Sequence, residues 1–348
     1  MSAKRYWSLK SENIEQSWVE EAKMLHGLGA KMIVPKNYAK FVETQKDIYN
    51  KWFPEITKKA EQYARIFNVS DSYLLDMMMT EHIGESHKVA EPGCCVIMVK
   101  KNESITVGRN FDSKMAAEKI STCIEYEIGG KKYWINTDLN AYKTPMDSDN
   151  YRIRPQEGWT DNFYVAINSG PSIKQTSGIA ATQVLEKLMI MTIEGKSTAD
   201  IINYVTEVPI NRGVSISVVS GGKLFVVEKS GQKSQTRSSD EVLFSTNHFV
   251  GNNMLEANCL LFKKIPFHAS FPRYGFIEAN LDKVIFSENI FDQIVDLLHE
   301  EPLNQNFRDE KFDCVTDWIS VLTLGRKSKT FFSPNNTEHR EELLLEYV

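Results

Sequence analysis

Two adjacent thiols, Cys94 and Cys95, follow Pro92-Gly93 in the stretch "EPGCCVIMVKKNESITVGRNFD", which closes on Gly108, Arg109, Asn110, Phe111 and Asp112. A cysteine reacts as its thiolate, and an ordinary pKa of about 8.5 leaves most of it protonated at neutral pH. A guanidinium beside it lowers that value, so Arg109 is the natural charge partner if the chain folds back on itself. What a mid-chain cysteine lacks is a base, and none of the seven histidines stands in a nearby motif. Cleavage of the peptide bond between Gly93 and Cys94 would create one. The new α-amine has a pKa of about 7.7–8.0 and sits on the nucleophile's own residue.

The runs "CCVIMV" and "SITVGRNF" are strand formers around the polar residues 101–103, which predicts a hairpin. A symmetric turn about Asn102-Glu103 pairs residues whose numbers sum to 205, so Val96 faces Arg109. Cys94 then shares the Val96 face, diagonal to Arg109, and Cys95 points to the opposite face. An odd-length loop inverts this assignment, which keeps Cys95 as a rival nucleophile.

The segment "GCCVIMVKKNESITVGRNFD" resembles the nucleophile segment of the cysteine-dependent N-terminal nucleophile (Ntn) hydrolases, in which a Gly-Cys junction precedes a hairpin ending in G-R-N-x-D. The nearest branches are the isopenicillin N acyltransferase-like enzymes and the choloylglycine hydrolases. Further segments follow in that family's order. "FYVAINSGP" is similar to its G-L-N strand, "STNHFV" to its T-N-H-F element, "SFPRYGFIE" to an S-x-x-R-Y helix start, and "ISVLTLGRKSKTFFS" to its last hairpin. The resemblance implies roles for Cys94 as nucleophile, Arg109 beside the thiol and Asp112 at the α-amine. It also implies Asn168 and Asn247 as donors to the reacting carbonyl oxygen, and Arg273 as a substrate-side residue closing the site. Neutral amide donors on rigid strands suit a carbonyl that develops negative charge. The implied fold is α+β, a four-layer αββα sandwich of two antiparallel sheets with an N-terminal helical region. The implied activity is hydrolysis of a linear, non-peptide amide after self-cleavage between Gly93 and Cys94, without metal or organic cofactor. Two alternatives stand beside it. One is acyl transfer to an amine acceptor, and the other is an unprocessed, non-catalytic ligand-binding relative.

The elements that must position these residues are legible in part. "NIEQSWVEEAKMLHGLG" spaces Ile14, Trp18, Ala22 and Leu25 by threes and fours, one buried helix face ending at Gly27 and Gly29. Residues 38–67 form a longer helical pattern divided by Pro54, and Asp71 precedes the helical pattern "SYLLDMMMTEHIG". The first 90 residues therefore read as all-helical. Beyond Pro92 the texture is that of strands. A hairpin turns at Gly129-Gly130, a turn-rich stretch covers 145–161, and "NFYVAINSG" is a strand. Helices are expected at 175–192 and, behind a Ser197/Asp200 capping box, at 199–206. A second glycine hairpin turns at Gly221-Gly222. A strand at "EVLFSTNHF", two helices and a last hairpin complete the order. This divides the chain into residues 1–93, a pro-region or α subunit, and residues 94–348, the catalytic core. Processing would leave an α/β heterodimer with room for a higher homo-oligomer. Loops near residues 133–159 and the helical region are expected to line the pocket for a small amide or acyl substrate.

Of 348 residues 42% are hydrophobic and 25% charged, enough to bury a large core, and the net charge of -5 offers no general attraction to nucleic acid. No run reaches the roughly 18 apolar residues of a membrane helix. The first residues lack the apolar centre of a signal peptide, so a cytoplasmic location without membrane insertion is expected. Five cysteines without a C-x-x-C pair speak against a disulfide framework or structural zinc, and Cys123, Cys259 and Cys314 read as packing residues. The spacing of His82 and His87 fits no usual helical ligand pair. His248 reads as structural.

Overall fold

A computed structural model describes residues 5–30, 39–72, 75, 78, 93–113, 121–139, 153–171, 177–231, 233–258, 270–307, 314–335 and 340–347. The chain opens with β1 (Tyr6–Ser11), α1 (Ile14–Gly27), α2 (Ala39–Trp52) and α3 (Glu55–Phe67). Six strands follow: β2 (Cys95–Lys101), β3 (Ser104–Ser113), β4 (Ser121–Ile128), β5 (Lys131–Asp138), β6 (Pro155–Trp159) and β7 (Tyr164–Ser169). After α4 (Ala181–Ile193) and α5 (Thr198–Glu207) come β8 (Val214–Ser220), β9 (Lys223–Ser230), β10 (Lys233–Ser239) and β11 (Val242–Ser245). The helices α6 (Ser270–Phe286) and α7 (Ile290–His299) precede β12 (Asn306–Phe307), β13 (Cys314–Thr323), β14 (Lys327–Phe332) and β15 (Glu341–Glu346).

These strands form two sheets of an α+β protein. The first has eight strands in the order β1-β4-β5-β6-β7-β8-β9-β10, antiparallel except for the parallel pair β1·β4. The second is antiparallel with six strands in the order β11-β2-β3-β13-β14-β15, and the short β12 pairs with β13 off that path. Three buried clusters hold the elements together. Trp18, Ala22, Leu25, Ala60, Leu185 and Leu188 pack with Ile124, Ile135, Val165 and Val227 of the first sheet. Val96, Met98 and Val107 of the second sheet meet Trp134, Trp159, Tyr164 and Val226 of the first. On the other side of the second sheet, Ile97, Val99, Ile319 and Val321 pack with Ile277, Ile294 and Leu298 of α6 and α7. Each buried aliphatic side chain contributes about 1.5–3 kcal/mol relative to exposure, so burying all three faces is the main stabilising term.

The hairpin of β2 and β3 follows the predicted register. Val96 lies opposite Arg109 and Cys95 opposite Asn110, closed by Asn102-Glu103 with Asn102 at φ 56°. Asparagine tolerates that left-handed conformation better than most side chains, which explains a two-residue turn without glycine. The glycine hairpins at 129–130 and 221–222, the division at Pro54 and the Ser197/Asp200 capping box also form as expected.

Four expectations are corrected. The N-terminal region is not all-helical, because Tyr6–Ser11 forms β1, and its parallel pairing with β4 makes the first sheet mixed where two antiparallel sheets were expected. The turn-rich stretch contains β6, read as a turn because Pro155 and Gly158 dominate its five residues. The helix expected at 175–192 starts at Ala181, since Ile179 bridges to Ile210 before the helix begins. The polar β10 and the acidic β15 were not anticipated, since their sequences lack the apolar alternation that marks a half-buried strand. Of the stretch expected to line a pocket, residues 140–152 lie outside the described residues, Tyr133, Ile135 and Pro155 border a cavity with Trp18 and Leu185 of the helices, and Trp134 and Trp159 pack between the sheets. The helix expected at 72–84, His82, His87 and Cys259 lie largely or wholly outside the described residues. No helix among the described residues is long and apolar enough to cross a membrane.

Candidate active site

The site forms where the start of β2, the end of β3, the end of β7, the turn after β11 and the first turn of α6 converge. Strand alternation sorts the side chains of "GRNFD". Arg109 and Phe111 face the first sheet, where Phe111 stacks on Trp318 with centroids 4.1 Å apart. Asn110 faces the helices and donates to the Leu298 carbonyl of α7 at 3.0 Å. Gly108 leaves room for that helix, because a Cβ there would run into Ile294.

Cys94 and Cys95 part to opposite faces. Cys94 is 4% exposed and packs in the intersheet cluster, and its Sγ approaches the Asp112 carbonyl at 3.9 Å. Cys95 is enclosed by Ile97, Val99 and Ile319 on the helix-facing side. Burial pushes the Cys94 thiol up, the Arg109 guanidinium pulls it down, and Asp112 pushes it up again, for a net rise. Burial drives Cys95 further, to about 12. Both thiols are therefore protonated at neutral pH in the intact chain, and Cys94 alone has Arg109 as its main charge partner.

Arg109 is fully buried and reaches across to the first sheet. Its Nη1 donates to the Gln156 carbonyl of β6 and its Nη2 to the Ile167 carbonyl of β7 at 2.7 Å. Gln156 is the extra residue of a β-bulge between the pairs Asn136/Glu157 and Thr137/Pro155, which frees its carbonyl from the ladder. Burial opposes the Arg109 charge, but Glu157 and Cys94 more than offset it, and the net shift is upward. Glu157 is itself fully buried and accepts from Asn136, Tyr164, Trp318 and Ser320 at 2.6–3.0 Å. The sequence reading missed Glu157, since nothing around a five-residue strand marks one glutamate as interior.

Asp112 and Arg273 form a fully buried ion pair at 2.9 Å between β3 and the first turn of α6. The Arg273 Nη1 also donates to the Gly93 carbonyl, and Nη2 donates to Asn247 Oδ1 at 2.8 Å. Thr316 donates to Asp112 Oδ1 at 2.7 Å and accepts from the Gln305 N–H at 2.8 Å. A second bulge, at Asp317, shifts the register between Thr316 and Trp318 and sets Thr316 opposite Asp112. Burial pushes the Asp112 carboxyl up to about 7, opposed by Arg273 and by the Thr316 hydrogen bond.

Asn247 follows β11, the neighbour of β2. Its Nδ2 donates to the Ser169 carbonyl at 2.7 Å, which leaves a second N–H on that nitrogen, and its backbone N–H donates to Ser270 Oγ at 2.8 Å. His248 is held through Nδ1 by Ser270 and Thr246 and stacks on Phe271. Burial lowers its pKa to about 4, so the imidazole is neutral at pH 7 and packs as a structural group. Asn168, at the end of β7, donates to Ser245 Oγ at 3.0 Å and to the Ser245 carbonyl at 3.3 Å, and its buried Oδ1 has no partner among the described residues.

Every residue expected at the site is described, and Gly93, Asp112, Asn247 and Arg273 share one hydrogen-bond cluster. Arg109 joins it through Cys94, whereas Asn168 stands one residue from the carbonyl that holds Arg109 and one from the carbonyl that holds Asn247. Arg273, expected on the substrate side, is fully buried among protein partners. Among the described residues no group of three metal-ligating side chains gathers. No known protein-family model and no curated protein matches this chain.

Proposed function

We propose that the chain is the precursor of a cysteine Ntn amidohydrolase with the four-layer αββα arrangement, activated by cleavage between Gly93 and Cys94. The three buried clusters, helix against sheet, sheet against sheet and sheet against helix, support that layering. One observation carries the reading. The Arg273 guanidinium joins the Gly93 carbonyl, Asp112 and Asn247, so three segments far apart in sequence meet at the bond preceding Cys94.

The mechanism then follows from the chemistry of the groups. In the intact chain Cys94 has Arg109 but no base, and its thiol stays protonated. Cleavage supplies an α-amine with a pKa of about 7.7–8.0, which takes the thiol proton. The thiolate attacks the carbonyl carbon of a linear amide. Negative charge develops on the carbonyl oxygen and is met by the second side-chain N–H of Asn247, whereas both N–H groups of Asn168 are held by Ser245. The α-ammonium returns the proton to the leaving amine, and water releases the acyl group from Cys94.

The test is labelling with a thiol-directed electrophile during turnover of a panel of linear N-acyl amides. Label on Cys94, with activity lost in Cys94→Ala and kept in Cys95→Ala, supports the reading. Activity that survives Cys94→Ala sinks it.

A further inference from the structure

A Cβ at position 93 would overlap the Arg273 guanidinium, to which all three of its nearest atoms belong, so the guanidinium would have to leave its place. That guanidinium is fully buried, lies in the first turn of α6, and donates through Nη1 to the Gly93 carbonyl. Asp112 on one side and Asn247 on the other fix its plane at 2.9 and 2.8 Å. Thr316, itself held by the Gln305 N–H, orients the Asp112 carboxyl. A planar cation is thus clamped on the one carbonyl that would become an oxyanion if Cys94 attacked its own preceding peptide bond.

We propose that Arg273 is a catalytic residue of self-cleavage, the electrophile that stabilises the oxyanion formed on Gly93, and that Gly93 is required to admit its guanidinium. The proposal rests on the reading under Proposed function and assigns a step within it. Cys94 Sγ bonds to the Gly93 carbonyl carbon, and charge moves to the oxygen under Arg273 Nη1. The bond from that carbon to the Cys94 nitrogen then breaks, the thiol proton passes to the departing nitrogen, and a thioester with a free α-amine results. Water adds to the thioester, giving the Gly93 carboxylate and returning the Cys94 thiol. Once the Gly93 segment departs, Arg273 keeps Asp112 and Asn247 as partners, so the same side chain passes from reacting group to wall of the mature site.

The experiment follows cleavage of the full-length chain over time after cell-free synthesis, read by mass. Arg273→Gln removes the charge and shortens the side chain so that no donor reaches the Gly93 carbonyl, and is expected to slow cleavage at least about 100-fold, the loss typical of removing an oxyanion donor. Gly93→Ala reaches the same contact from the other side and is expected to slow cleavage while retaining Arg273. Guanidinium chloride in the low millimolar range is expected to accelerate Arg273→Ala, a rescue that a purely structural role would not give. Wild-type rates in Arg273→Gln or Gly93→Ala overturn the proposal, as does an Arg273→Ala chain that folds by circular dichroism yet ignores guanidinium. If Arg273 variants fail to fold, Gly93→Ala alone decides between slowed and unchanged cleavage. Should the wild-type chain never cleave, the reading under Proposed function fails first; cleavage at wild-type rates in the variants removes only the role of Arg273.

Discussion

Asp112 is the residue at which burial and charge pairing compete most directly. Its folded-state pKa of about 7 lies above the ordinary carboxyl value of 3.8, so between those limits the folded chain holds a proton that the unfolded chain has released. Stability contributed by this group is therefore fully present below about pH 4 and declines as pH rises toward 7. The stability advantage of wild type over Asp112→Asn should shrink across that window by up to about 1.4 kcal/mol per pH unit, as measured by urea unfolding at a series of pH values. A difference that stays flat or grows with pH would contradict this account of the pair. The residues legible in the sequence were those in compact motifs, Gly93, Cys94, Arg109, Asp112, Asn247 and Arg273. Thr316 and Glu157 were not, because each owes its place to the fold rather than to its neighbours in sequence. Thr316 sits in an ordinary strand run and Glu157 in a stretch whose proline and glycine read as a turn.

At the scale of elements, two bulges and one glycine set the site. The bulge at Gln156 frees a carbonyl for Arg109, and the bulge at Asp317 brings Thr316 against Asp112. Neither was foreseeable, since nothing at Gln156 or Asp317 marks one residue as inserted until the partner strand is in place. The β2·β3 register was foreseeable, because a short symmetric turn leaves one pairing that buries both apolar faces. Gly108 is the element-scale counterpart of Gly93. A Cβ at Gly108 would meet Ile294 and come within 2.8 Å of Leu298 Cδ1, forcing α7 away from β3. Gly108→Ala should cost about 1–3 kcal/mol, seen as a lower urea midpoint, and should speed amide hydrogen exchange in α7. An unchanged midpoint with unchanged exchange would show that the helix and strand tolerate more separation than this packing implies.

For the whole molecule, the segment before Cys94 is built into the fold. β1 lies beside β4 in the first sheet, and Lys59 of α3 bridges Glu21 of α1 and Glu186 of α4 at 3.0 and 2.6 Å with all three side chains nearly buried. Tyr63 and Tyr126 close the same cluster on Glu21 at 2.7 and 2.9 Å. The β1·β4 ladder and the apolar core that α1 and α3 share with the first sheet and α4 should hold the two parts together without the covalent link. A cut at Gly93 therefore predicts a stable two-chain protein. The most direct test is intact mass under denaturing conditions, beside size-exclusion chromatography of the native protein. The expected result is one native species that yields two polypeptides, the larger beginning at Cys94, with masses summing to the uncut chain plus one water. A single polypeptide of 39.8 kDa in protein that turns over an amide would contradict the account.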